Sequence, residues 1–298
     1  MADFRLEVFY TVAKRLSFTK AAAELFITQP AVTKHIRELE EEYKAKLFDR
    51  TGNRISLTAP GNLLLAYAEK VFELNRNVAF EINALNNHHT GILRIGASTT
   101  VAQYIIAPIL AKFKTRFADA QLNLITGNTE QIENALLAHD VDVAIIEGHT
   151  RKSGISYHEF LKDELVLTCS SKHPLARQNS LKLEQLPSLK MVLREHGSGS
   201  LDVIAHALKN AGISMAELDV EIRLGNTESI KAYLQHSPCM AFLSVYAIAD
   251  EVASGKLKVI DVAGLTIERN LYLIHPQGKT GGLAELFQRF ALSNHNLK

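Results

Sequence analysis

Gln29, Thr33, Lys34 and Arg37 carry the most specific chemistry in this chain. A side-chain amide, a hydroxyl beside a methyl, and two long cations are the groups that bond base edges and phosphates. On a helix these four share one face, while Val32, Ile36, Leu39 and Tyr43 share the other. Pro30 falls in the first turn, where a missing N–H costs nothing. A helix with one apolar and one hydrogen-bonding face suits a DNA major groove. A solvated polar face on a helical hairpin fits the same pattern. Residues 48–57 then read as a β-hairpin turning near Thr51, Gly52 and Asn53. Arg50 and Arg54 flank that turn, as a wing gripping phosphates or a minor groove requires.

The elements that position these groups are short. Leu6, Phe9, Tyr10, Ala13 and Leu16 repeat at helical spacing over residues 4–16. Ser17 is the N-cap expected for a second helix over 18–25, whose alanines let a neighbour come close, and Thr28 for a third. Thr58 caps a long helix that begins at Ala59 and Pro60. Leu64, Ala68, Val71, Leu74 or Asn75, Val78, Ile82 and Leu85 extend its apolar stripe to about Asn86. A solitary helix cannot bury such a stripe. A second copy of the chain is one source of a partner, and the chain's own N-terminal module is the other.

Five motifs stand in order: Ala21-Ala-Ala-Glu-Leu25, Thr28-Gln-Pro-Ala-Val-Thr33, Ile36-Arg-Glu-Leu-Glu40, Leu47-Phe-Asp-Arg50 and Leu57-Thr-Ala-Pro-Gly61. Together they resemble the winged helix-turn-helix of LysR-type transcriptional regulators. The resemblance implies a DNA-binding domain at 1–58, a dimerising linker helix at 59–87 and an effector-binding domain at 88–298. It implies double-stranded DNA and a small-molecule effector as partners, a homodimer or homotetramer, and RNA polymerase as a further partner of an activator. A dimer presents two recognition helices to an interrupted palindrome.

Residues 86–91 read as a polar linker, and beyond them strands alternate with helices. Strands are expected at 92–95, 121–125 and 141–146, and helices at 99–117 and 129–138. That is α/β with a mainly parallel sheet. A weak internal repeat sets Gly127-Asn-Thr-Glu-Gln-Ile132 against Gly225-Asn-Thr-Glu-Ser-Ile230, each closing a strand and opening a helix. Two α/β lobes around a cleft give a periplasmic-binding-protein-like fold. The family resemblance implies lobe I at 91–161 plus 266–298 and lobe II at 162–265, with two crossings forming a hinge.

Ser98, Thr99 and Thr100 open one helix, and Arg194-Glu-His-Gly-Ser-Gly-Ser200 precedes another, so both N-termini offer an anion seat. Thr129 and Thr227 begin the repeated helices. Plain helix capping accounts for each hydroxyl taken singly. The resemblance implies that Ser98, Thr99, Thr100, Thr129, Ser198 and Ser200 contact the effector, with Glu147 beside them. Glu147 would repel an anion unless Arg194 pairs it or the ligand brings an amine. The region is similar to the branch of the family that answers to small sulfur compounds and other small anions, although His196 stands where that branch has proline.

The chain has 298 residues with 47% hydrophobic and 22% charged content, a composition of soluble globular proteins with two or three domains. A net charge of +1 leaves nucleic-acid binding to a local patch. Cys169 and Cys239 match no metal spacing and read as reduced packing residues. No metal site and no cofactor are expected. Charges interrupt the first residues, and no run approaches a membrane span, so the cytoplasm is the expected compartment. An enzyme or a transport-type binding protein is the rival class, since α/β lobes host many functions. The chain has no Gly-x-Ser-x-Gly elbow, Walker loop or dinucleotide fingerprint, and the first sixty residues serve no evident catalytic purpose.

Overall fold

The computed structural model describes residues 3–51, 54–85, 89–278 and 280–294, except the side chains of Arg50, Thr51 and Ala84. The chain folds as two compact units, Met1–His88 and His89–Lys298. No helix among the described residues is long and apolar enough to cross a membrane.

In the first unit α1 (Phe4–Arg15), α2 (Phe18–Glu24) and α3 (Gln29–Tyr43) precede strands β1 (Phe48–Thr51) and β2 (Arg54–Leu57) and helix α4 (Ala59–Leu85). The expected caps form. Ser17 Oγ accepts from the Lys20 amide, and Thr28 Oγ1 from that of Ala31. Thr58 Oγ1 accepts from the Gly61 amide at 3.0 Å. Val8, Phe9, Val12, Phe18, Ala21, Val32, Ile36 and Leu39 build one core with Leu47 and Phe48. Each large side chain buried there is worth roughly 1.5–3 kcal/mol. Leu16 and Tyr43, expected on apolar faces, are half exposed. Leu16 and Lys44 adopt left-handed backbone at φ 45° and 49°, so both helices end at these points and their apolar phase ends with them. Gly61 is required, because a Cβ there would lie 2.1 Å from the Leu47 carbonyl oxygen.

The second unit opens with β3 (Gly91–Ser98), α5 (Thr99–Tyr104), α6 (Ile106–Arg116), β4 (Ala120–Gly127), α7 (Thr129–Leu137) and β5 (Val143–Glu147). The long strand β6 (Ile155–Ser170) follows, then β7 (Ser180–Lys182), β8 (Lys190–Arg194), α8 (Gly199–Asn210), β9 (Asp219–Leu224), α9 (Thr227–Leu234) and β10 (Met240–Ser244). The unit ends with α10 (Val245–Ala253), β11 (Leu257–Val259), β12 (Asp261–Ala263), β13 (Ile267–Pro276) and α11 (Gly282–Ser293). The main sheet runs β4-β3-β5-β13-β6-β10-β8-β9, with β11 on β6.

The sheet is mixed rather than mainly parallel. Parallel triplets β4-β3-β5 and β10-β8-β9 flank an antiparallel β13–β6 pair, which spans from one half of the unit to the other. The helix expected over 99–117 divides at Ile105. Pro108 has no N–H for the Tyr104 carbonyl, and its ring crowds that oxygen. The repeat is structural: Asn128 and Asn226 cap α7 and α9 through their side chains, leaving Thr129 and Thr227 as first helical residues.

Candidate DNA-binding face and ligand site

In the first unit the polar face of α3 is set by its caps and its core. Val32, Ile36 and Leu39 are buried, which leaves Gln29, Pro30, Lys34 and Arg37 exposed and Thr33 partly so. Gln29 Nε2 donates to Thr33 Oγ1 at 2.9 Å, and that hydroxyl donates to the Gln29 carbonyl at 3.1 Å. Lys34 lies 3.8 Å from Glu38, a loose exposed pair of little worth. Arg37 and Arg54 are exposed and carry no ion pair among the described residues. Thr51 pairs with Arg54 across the hairpin, so the strands expected of a wing are present. Its tip, Gly52 and Asn53, and the Arg50 side chain lie outside the described residues. Sequence reasoning missed Phe26, which is 95% exposed in the turn before α3 with φ 54°. A bulky residue is strained there, and only its position beside the Thr28 cap signals it.

In the second unit the hydroxyl residues converge as expected, but their bonds are not caps. Ser98 and Ser198 occupy the N-cap positions of α5 and α8 without capping through their side chains. Ser98 donates instead to Glu147 Oε2, and Ser200 to Glu147 Oε1 at 3.3 Å. Thr129 donates to the Glu147 carbonyl at 2.7 Å, and Thr99 to that of Gly127 at 3.1 Å. Thr100 and Thr227 are buried on their helices. With six residues, α5 is too short for the anion seat expected at its N-terminus.

Arg194 does not pair Glu147. Its guanidinium bonds the neighbouring Glu195 at 2.8 and 3.0 Å, and Nη2 donates to Thr99 Oγ1 at 3.2 Å. Arg269 reaches Glu147 instead, at 3.8 Å, and donates to Ser200 Oγ at 2.8 Å. Arg269 also grips Asp163, with Nε and Nη2 both 2.7 Å from Oδ2. Sequence reasoning missed Arg269 and Asp163. The available signal was a charge in the inward phase of an otherwise apolar strand: Arg269 alternates with Ile267 and Leu271, Asp163 with Leu165 and Leu167.

The two halves touch directly around this cluster. The Glu130 amide donates to the Gly197 carbonyl at 3.1 Å, and Asn128 Nδ2 to that of His196 at 3.2 Å. Tyr104 donates to Glu228 at 2.5 Å, and that carboxylate with Glu251 holds the buried Lys231. Burial and Glu228 push the Tyr104 hydroxyl well above the usual tyrosine range. An open groove of about 870 Å³ flanks β6 and β13, lined by His149, Lys162, His206 and Tyr246 among others. It includes Arg269 and Asp163 but none of the clustered hydroxyls.

Residues 4–62 match the model of the bacterial regulatory helix-turn-helix protein, lysR family, and residues 86–295 match the LysR substrate binding domain. An uncharacterized HTH-type transcriptional regulator of Escherichia coli, YeiE, is 32% identical over 286 residues, 96% of this chain and 94% of that protein. Full-length CbnR complexed with its target DNA superposes with a TM-score of 0.63 at 20% identity, covering 98% of this chain and 99% of that one. The Synechocystis CcmR regulatory domain in complex with 2-PG also gives 0.63, at 23% identity over 70% of this chain and 99% of that one.

Proposed function

The chain belongs to the LysR family of transcriptional regulators, with an N-terminal helix-turn-helix and an α/β effector-binding domain, and from that premise we propose how it is used. It binds an interrupted palindrome as a dimer or tetramer and answers to a small molecule held between the halves of the second unit. Gln29, Pro30, Thr33, Lys34 and Arg37 face the major groove, while Arg50 and Arg54 hold the backbone beside it. The exposed polar face of α3 carries this reading. CbnR, of the same fold, is seen on its target DNA. The protein works in the cytoplasm, and it meets RNA polymerase if it activates.

The dimer reading rests on α4. One face of its first turns packs on the unit's core through Leu64 and Leu65, and Phe72 meets Tyr10 at 5.2 Å. Another face leaves Leu63, Tyr67, Val71, Leu74, Val78, Ile82 and Leu85 exposed. Their steps of four, four, three, four, four and three make an eleven-residue repeat of about 3.67 residues per turn, which holds the apolar seam on one side of the helix along its length. A second copy covers that seam most simply.

The effector places an anionic group at Arg194 and Ser198. Arg194 Nη1 and Ser198 Oγ are buried and have no hydrogen-bond partner among the described residues. Such donors are costly unless something accepts from them. Ser98, Thr99, Thr100, Thr129 and Ser200 frame the same place. CcmR, of the same fold, carries 2-PG on its regulatory domain.

Selecting bound sequences from a random duplex library with the full chain tests the proposal. The expected result is a dyad of half-sites about one helical turn apart, or a multiple of it. Enrichment of single sites without a dyad sinks the dimeric reading, and no enrichment at all sinks sequence-specific binding.

A further inference from the structure

We propose that the effector also carries a cationic nitrogen, and that Glu147 selects it; this rests on the effector reading given above. The Glu147 carboxylate closes β5 and is 1% exposed. It holds the seat that an anionic ligand would take, because Ser98 and Ser200 both donate to it. The single cation in ion-pair reach of it, among the described residues, is Arg269 at 3.8 Å. Arg269 is engaged elsewhere: Nε donates to Asp163, Nη1 donates to Ser200 Oγ, and Nη2 stands 2.7 Å from Asp163 as an ion pair without a hydrogen bond. Asp163 is closed as well: the Ser244 hydroxyl and the Glu164 amide bond its other oxygen at 2.8 and 2.9 Å. Two buried carboxylates therefore face one guanidinium, and the surplus negative charge rests on Glu147.

A bare anion placed beside Glu147 would set two like charges together where little water screens them. A cationic nitrogen neutralises the surplus and donates to oxygens that hold only hydroxyl bonds. The anion-binding donors are its neighbours. Gly199, next to Ser198, packs so closely on Glu147 that a Cβ would lie 2.0 Å from the Glu147 carbonyl oxygen. Arg194 bonds Thr99, next to Ser98. Cation seat and anion seat side by side fit a small zwitterion of the α-amino-acid class, with its ammonium on Glu147 and its carboxylate on Arg194 and Ser198.

Thermal shift and calorimetry on the full chain at neutral pH test this, using L-serine, L-alanine and L-glutamate, their 2-hydroxy-acid counterparts and sulfate. At least one amino acid should bind, with its hydroxy acid and sulfate at least tenfold weaker. Glu147→Gln should lose that preference and admit the hydroxy acid or sulfate, whereas Glu147→Asp should keep it. Should Glu147→Gln fail to fold, the wild-type preference alone decides. Hydroxy acids or sulfate binding the wild type as tightly as the amino acids would overturn the proposal and leave the effector reading standing. No binding by any probe overturns both.

Discussion

Gln29 and Thr33 hold each other before any DNA arrives, through the 2.9 Å bond between amide and hydroxyl. A side chain fixed in advance loses less entropy on binding. Thr33→Val keeps the methyl and frees the amide, so it should lower operator discrimination much as Gln29→Ala does. A lost bidentate base contact costs about 1–3 kcal/mol. The readout is the ratio of specific to non-specific Kd, and an unchanged ratio in both variants removes the pair from base recognition. Arg54 is exposed on the hairpin and belongs to another class. Arg54→Ala should weaken binding to every sequence and lower the salt slope by about one; a wild-type slope would mean that the wing leaves the phosphates alone. The cysteines show how a strand separates near neighbours. Met240 lies opposite Cys169, yet Cys169 packs with Leu165 and Met191 while Cys239 packs with Leu234 and Leu243 in a separate core. Burial pushes the Cys169 thiol up to about 11 and raises that of Cys239 too. Thiolate is scarce at neutral pH. A thiol reagent should find almost none in the native protein and both in denaturant, and an intramolecular disulfide after mild oxidation would contradict this placement.

At the level of elements, local signals were legible and distant ones were not. Ser17, Thr28 and Thr58 announced their helices because a cap bonds within three residues of itself. The repeat marked two further helix starts, but their caps are Asn128 and Asn226 rather than the threonines beside them. Pro108 stood in view, but apolar periodicity runs through it and hid the break at Ile105. The Arg269–Asp163 contact joins residues 106 positions apart, and no local pattern encodes a pairing that only the β13–β6 register creates. The candidate site was therefore half legible: the gathering of hydroxyls about Glu147 was expected, whereas Arg269, which bonds Ser200 and stands 3.8 Å from Glu147, was not. Close approach of elements gives a matched pair of tests. Gly199→Ala drives a methyl into the Glu147 carbonyl, whereas a Cβ at Gly225 meets nothing within 4 Å. Overpacking of this kind costs about 1–3 kcal/mol, a Tm loss on the order of 2–12 °C, against at most about 0.5 kcal/mol for Gly225→Ala. Equal melting of the two variants would mean that the halves do not meet at Gly199. On α4, Leu74→Glu places a charge in the middle of the exposed seam. It should turn a dimer into a monomer in sedimentation, leaving the melting of the second unit unchanged; an intact dimer would move the interface elsewhere.

At the scale of the whole molecule, the effector and the operator must bias one equilibrium. Among the bonds that join the halves of the second unit are Tyr104 to Glu228, Glu130 to Gly197, Asn128 to His196, Arg194 to Thr99, the His149 and Thr150 amides to Asp202, and Ser200 to Glu147. At about 1 kcal/mol net for each hydrogen bond, exchanging two or three of them yields roughly 1–3 kcal/mol of coupling. That corresponds to a change of about 5- to 150-fold in operator affinity, the usual range for allosteric proteins. A ligand that bound every arrangement equally would shift nothing, however tightly it bound. The test is reciprocity. The factor by which a saturating amino-acid effector changes the operator Kd must equal the factor by which saturating operator changes the effector Kd. Titrating each ligand with and without the other, at fixed salt, closes the cycle. Matching factors tie DNA face and ligand site to one conformational equilibrium. An effector factor of one alongside measurable binding would place the regulatory signal outside this site.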